Sequence, residues 1–109
     1  MIHSSIRMEI PSQKSAEVLK ILRSVVDLCK YDSGNLSCHI YRDLEKENVI
    51  MIEEMWRSQE DLERHLRSEE YRNLLLVVEL ALECPEIKFN TISSSTGIET
   101  IEQTRSHAR

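Results

Sequence analysis

An α+β fold, with one antiparallel sheet and its helices on a single face, follows from three features of this sequence. Strand-like and helix-like segments alternate in the order strand, helix, strand, then strand, helix, strand. Serines stand where each helical pattern begins, and a serine hydroxyl is well suited to accept from the unpaired amides of a first helical turn. Glycine and proline number only two each in 109 residues of which 40% are apolar, which describes a folded chain and not a flexible arm. A chain of this length forms one domain.

The first strand covers Ile2 to Ile10, where Ile6, Met8 and Ile10 alternate with polar residues. Pro11 stops it, and Ser12 is the expected cap of the first helix. Val18, Leu22, Val25, Val26 and Cys29 then recur at helical spacing, while Lys14, Glu17, Lys20, Arg23 and Asp27 face water. That helix ends in Lys30-Tyr31-Asp32-Ser33-Gly34, where the glycine can take the positive φ of a chain reversal.

Leu36, Cys38 and Ile40 alternate with Ser37, His39 and Tyr41 as a half-buried second strand. The charged segment 42–48 is a hairpin loop into Val49 to Trp56, the most strand-like run of the chain. Ser58 caps the next helix, with Asp61 as its capping-box partner. Ser68 opens another, favoured by Glu69 and Glu70 at the positive end of its dipole. Its apolar residues run all the way round from 71 to 82, and Pro85 ends it. Glu86 to Ser93 is the last strand, with Ile87, Phe89 and Thr91 on one face. Two split β-α-β units pair in this way into a ferredoxin-like sheet over residues 1–93. Such a sheet leaves one face bare, with apolar residues on it. That face and the all-round apolar helix both call for a symmetric homodimer. Residues 94–109 begin with the small polar run Ser93-Ser94-Ser95-Thr96-Gly97 and form a tail that frays or packs on the partner subunit.

Charge and cysteine usage exclude several classes. A net charge of -5 with interspersed signs does not make the basic surface a nucleic-acid binder needs. No apolar run reaches the length of a membrane span, and no leader-like segment opens the chain. Three cysteines without C-x-x-C spacing read as reduced, mostly buried residues of a cytoplasmic protein, and nothing in the sequence activates Cys38 as a nucleophile. There is no H-x-x-x-H pair and no glycine-rich phosphate loop, so no cofactor or metal is expected.

The candidate site lies in the stretch from Trp56 to Tyr71, which gathers a tryptophan, a histidine and a tyrosine near one end of the sheet. His65 shares an apolar stripe with Leu62 and Leu66, so it is either a hydrogen-bonded core residue or a base titrating near neutrality. Glu54 shares a strand face with Ile50, Ile52 and Trp56. A carboxylate there must find a partner or be protonated, and it forms a structural ion pair or orients His65. Trp56 and Tyr71 are packing residues first. His39 and Tyr41 point to the face opposite Leu36 and Ile40, and His3 and His107 near the ends carry little weight.

Gly34-Asn35-Leu36-Ser37-Cys38-His39-Ile40-Tyr41-Arg42-Asp43, then Glu54-Met55-Trp56, Ser58, Leu62, His65-Leu66, Ser68 and Tyr71, resemble the antibiotic biosynthesis monooxygenase family over roughly residues 2–93. The resemblance implies a dimeric α/β barrel, in which two sheets face each other and a ligand cavity lies between each sheet and its helices. It also implies cofactor-free oxygenation of a small-molecule substrate: an electron-rich phenol, once deprotonated, itself reduces dioxygen in a dry cavity. His65 would be the base, Trp56 and Tyr71 the walls that stack on the ring, Glu54 a lining carboxylate, and Arg72 the holder of an oxyanion. The haem-degrading branch departs from this chain, having a tryptophan at His65 and an iron-binding histidine at Leu75. Aromatic residues at 5% suit a small quinol or a non-aromatic metabolite better than a polycycle. An isomerase of a small carbonyl compound, with the same base, and a barrel that binds a ligand without turnover are the alternatives.

Overall fold

The computed structural model describes residues 1–107; Ala108, Arg109 and the side chain of His107 lie outside the described residues. Four strands and four helices succeed one another in the order β1 (Ile2–Glu9), α1 (Ser15–Cys29), β2 (Asn35–Arg42), β3 (Val49–Trp56), α2 (Gln59–Leu66), α3 (Glu69–Val78), β4 (Glu86–Thr91) and α4 (Ile98–His107). The sheet is antiparallel throughout, in the spatial order β2-β3-β1-β4. This is the ferredoxin-like arrangement the alternation predicts.

Period-two patterning places the core. Ile2, Ser4, Ile6 and Met8 of β1 are buried and sit opposite Trp56, Glu54, Ile52 and Ile50 of β3. The inward stripe of α1 (Val18, Leu22, Val25, Val26, Cys29) and Leu62, Tyr71, Leu74 and Val77 from α2 and α3 close over that face. Burying one such aliphatic side chain is worth about 1.5–3 kcal/mol, so this stripe is the main source of stability.

Three local features differ from the sequence expectation. Ser12 does not cap α1. A 3-10 turn (Ser12–Lys14) precedes the helix, closed by Lys14 N–H donating to the Pro11 carbonyl at 2.9 Å, and Lys14 takes the cap position without a side-chain hydrogen bond. In β2, Asn35 pairs with Trp56 but Ser37 pairs with Met55, so Leu36 is the extra residue of a β-bulge. Leu36 is consequently half exposed, and Asn35 takes the inward position that strict alternation would give Leu36. Finally, α3 stops at Val78, well short of Pro85. Leu80 and Ala81 donate to Val77 and Val78 in tightening turns, and the Leu82 amide leaves the helix to reach the Glu9 carbonyl at 2.9 Å. The apolar run to 82 is therefore not one all-round helix. Leu74 and Val77 point inward, while Leu75, Leu76, Leu80 and Leu82 are exposed.

The face of the sheet away from the helices mixes characters. Met51, Met55 and Tyr41 lie among His3, Arg7, Glu53 and His39, with His3 paired to Glu53 at 3.0 Å and Arg7 to Asp43 at 3.0 Å. On β4, Ile87 and Phe89 lie on the helix side of the sheet, yet both remain exposed. Every residue of α4 from Ile98 to Ser106 is exposed. Among the described residues, no helix is long and apolar enough to cross a membrane.

Candidate active site

Strand β3 and helix α2 meet at an angle fixed by caps at both ends of the short helix. The Ser58 hydroxyl accepts from the Asp61 amide at 3.2 Å and donates to the Asp61 carboxylate at 2.8 Å. Arg64 and Arg57 hold that same carboxylate from outside, at 3.0 and 3.4 Å. At the other end, Ser68 accepts from the Tyr71 amide at 3.3 Å and donates to the His65 carbonyl at 2.7 Å, which joins α2 to α3. These contacts swing His65 inward over the sheet.

His65 is 2% exposed and both of its ring nitrogens are engaged. Nδ1 lies 3.0 Å from Asp32 Oδ2, and Nε2 lies 3.1 Å from Glu54 Oε2. Its ring stacks on Trp56 with centroids 4.5 Å apart and meets the edge of Tyr71 at 5.3 Å. Burial alone would push the imidazole pKa down. The hydrogen bond and charge of Glu54, then those of Asp32, outweigh burial and raise it above the ordinary histidine value. When the ring is protonated both nitrogens donate, one to each carboxyl group. The unit is an Asp32–His65–Glu54 chain running from Asp32, at the edge of the helices, to the buried Glu54.

Glu54 Oε2 is also the meeting point of two thiols, Cys29 Sγ at 3.5 Å and Cys38 Sγ at 3.7 Å. The bulge assists here, because inward-turned Asn35 donates to Cys29 Sγ at 3.5 Å and to the Ser37 carbonyl at 3.2 Å. Hydrogen bonding with Cys38, burial and the Glu54 charge all push the Cys29 thiol far up, so it stays protonated. Burial, with Glu54 behind it, also raises the Tyr71 phenol. One polar atom is left over: Trp56 Nε1 is buried and has no hydrogen-bond partner among the described residues. An unpaired buried donor costs about 1–3 kcal/mol.

Of the sequence-derived candidates, His65, Trp56, Tyr71 and Glu54 converge in this cluster. Arg72 does not. It lies on the outer face of α3 with its side chain 76% exposed and Glu69 as its ion-pair partner at 4.0 Å, apart from His65. Sequence reasoning missed Asp32, which nothing in its turn marks as a histidine partner, and the convergence of Cys29 and Cys38, which read as core residues. Cys38 sits directly opposite Glu54, a pairing that becomes visible only once the β2–β3 register is known.

The open cavity between sheet and helices that the resemblance implies is closed here, because Trp56, His65 and Tyr71 pack on one another. The relay meets the surface at a depression of about 70 Å³ bounded by Asp32, Ser33, Asp61, Arg64, His65 and Ser68. A larger groove of about 240 Å³ lies between α1 and α3, and none of the cluster residues lines it.

Comparison with known proteins bears on this arrangement. No curated protein matches the chain. Solved structures share the fold at low identity. An antibiotic biosynthesis monooxygenase superposes with a TM-score of 0.77 at 16% identity, covering 86% of this chain and 100% of the other. A conserved protein from Methanosarcina mazei Go1 gives a TM-score of 0.77 at 20% identity, covering 82% of this chain and 89% of the other. Rv0793 from Mycobacterium tuberculosis gives 0.78 at 15% identity, covering 88% and 98%. The family model described as antibiotic biosynthesis monooxygenase matches residues 1–75, which hold β1 through the Trp56–His65–Tyr71 cluster and most of α3. By that match over more than half of its length, the chain belongs to the antibiotic biosynthesis monooxygenase family.

Proposed function

We propose that this protein is a monooxygenase that oxidises a small, electron-rich, quinol-like substrate without a cofactor of its own, working as a homodimer whose sheets face each other. The observation that carries the reading is the unpaired Trp56 Nε1–H, buried against a histidine that sits in a two-carboxylate relay. A donor with no protein acceptor, beside a proton acceptor, is what a phenol being deprotonated needs.

Asp32, His65 and Glu54 are the groups at hand to receive the proton of the phenol. His65 is the base of this unit, held between Asp32 and Glu54, and it takes the proton in its neutral form. Trp56 Nε1–H donates to the phenolate oxygen as its charge develops. The anion then reduces dioxygen. One oxygen atom enters the ring, the other leaves as water, and the quinol becomes a hydroxyquinone, so the substrate supplies all four electrons.

Three features support the dimer and its setting: the half-buried Met51 and Met55 and the exposed Tyr41 of the open face, the uncovered Ile87 and Phe89, and the exposed Ile98 and Ile101 of α4. Three free cysteines suit a reducing cytoplasm. Sedimentation is expected to give twice the 12.8 kDa chain mass, and a monomer at low micromolar concentration overturns the dimer.

Oxygen uptake with a panel of substituted hydroquinones tests the activity. Uptake matched by hydroxyquinone formation is expected. The closed interior favours one second reading, a barrel that binds a small molecule without turning it over, and tight binding with no oxygen consumed would establish that. Conversion of a small carbonyl compound without oxygen uptake would make it an isomerase using the same relay.

A further inference from the structure

We infer that Cys29, Cys38, Glu54 and His65 form a closed binding site for a divalent, thiophilic transition-metal ion of the zinc type, with Asp32 as its outer support. The donor set is two thiols, a carboxylate and an imidazole, and all four residues are buried. Cys29 Sγ, a Glu54 carboxylate oxygen and a His65 ring nitrogen lie within 4.8 Å of one another. From Glu54 Oε2 the distances are 3.1 Å to His65 Nε2, 3.5 Å to Cys29 Sγ and 3.7 Å to Cys38 Sγ. The edges of a tetrahedron with metal–sulfur bonds of ~2.3 Å and metal–nitrogen or metal–oxygen bonds of ~2.0–2.1 Å are roughly 3.3–3.8 Å. Cys29, Glu54 and His65 therefore stand close to ligand spacing, and Cys38 Sγ, which lies outside that 4.8 Å group, has to turn inward to complete the tetrahedron.

A second observation points the same way. His65 Nδ1 is held by Asp32 at 3.0 Å, which fixes the ring and aims Nε2 at the sulfurs. A carboxylate behind a histidine is the usual outer support of a metal-bound imidazole. Sulfur donors select zinc-like ions over magnesium or calcium.

Binding forms two metal–sulfur bonds, one metal–oxygen bond and one metal–nitrogen bond. The protons of both thiols and of Nε2 pass to solvent, and the aquo ion loses its waters. No electron moves. With all four positions filled by the protein, the ion has no site left for oxygen or substrate, so it braces α1, β2, β3 and α2 and does not catalyse. One consequence rests on the proposed oxygenase: an ion on Nε2 breaks the relay, and turnover stops. The binding itself does not depend on that reading.

The test uses the full chain with Cys84→Ser, which removes the exposed thiol, and Co²⁺ as probe. Protein refolded with Co²⁺ in the absence of oxygen is expected to bind one ion per chain and to show a thiolate-to-cobalt charge-transfer band with intense tetrahedral visible bands. Zn²⁺ should displace it, and Cys29→Ser and Cys38→Ser should each remove much of the charge-transfer intensity. Asp32→Asn keeps every ligand and serves if the cysteine variants do not fold. It should retain the spectrum while weakening affinity roughly 10–100-fold. Absence of the charge-transfer band in the parent, bands unchanged in the folded cysteine variants, or unaltered affinity in Asp32→Asn overturns the site, whatever the outcome of the oxygen-uptake assay.

Discussion

The backbone of Gly34 lies against the carboxyl group of Asp61, so close that a Cβ at position 34 would overlap it. Gly34 has φ of +84°, and its carbonyl accepts from the Arg57 amide at 2.9 Å. The turn after α1 is thereby locked to the start of α2, and Asp32 within that turn is carried to His65.

Replacing Gly34 with alanine strains the chain twice, through the left-handed conformation and through displacement of Asp61. The conformational part alone is about 1–2 kcal/mol. Urea unfolding of Gly34→Ala should show at least that loss, and a midpoint unchanged from the parent would mean the contact is not as close as described.

Asp61 gives an acid limit to stability. Its carboxyl is held below the ordinary aspartate range chiefly by the Ser58 hydroxyl; burial opposes this, and Arg64 and Arg57 reinforce it. A lowered folded pKa contributes stability that is present above the unfolded value of ~3.9 and is lost as pH falls through the lower folded value. Asp61→Asn should therefore be less stable than the parent at pH 7 and show a flatter stability profile below about pH 4. Thermal melts across that range check the sign.

His65→Gln retains hydrogen-bonding capacity but cannot carry a proton between Asp32 and Glu54. Turnover of the folded protein should fall about 10²–10⁴-fold. Stability should fall by roughly 1–3 kcal/mol, because a buried carboxylate loses part of its support. Full turnover in the folded fraction would reduce His65 to a core residue.

Trp56→Phe separates packing from function. The smaller ring leaves space beside His65, yet it removes an unpaired donor worth about 1–3 kcal/mol, so the net change in stability should be small. If that donor serves the substrate, kcat should drop while the melting temperature stays within a few degrees. A large loss of stability with unchanged kcat would show the indole to be packing alone.

The fold was legible in the sequence because period-two and helical apolar patterns are set by burial, and burial decides where each element faces. That logic breaks where apolar residues continue past an element, as at Leu80–Leu82, whose pattern extends α3 although the Leu82 amide is taken by Glu9. His65, Glu54 and Trp56 were readable as a group because they share one strand face and one helix stripe. Asp32 was not, since its contact with His65 spans 33 residues and depends on a glycine turn that brings two loops together. Arg72 stands apart from the cluster because a position next to Tyr71 in sequence points away from it on a helix.

The bulge in β2 has a bearing on chain length. Asn35 faces Trp56 and Cys38 faces Glu54, which are the positions an uninterrupted strand would give these residues if Leu36 were missing. Leu36 is thus a spare link in the ladder. A chain one residue shorter at this point would keep each remaining β2 side chain on its present face, so this strand can lose Leu36 without disturbing the relay behind it.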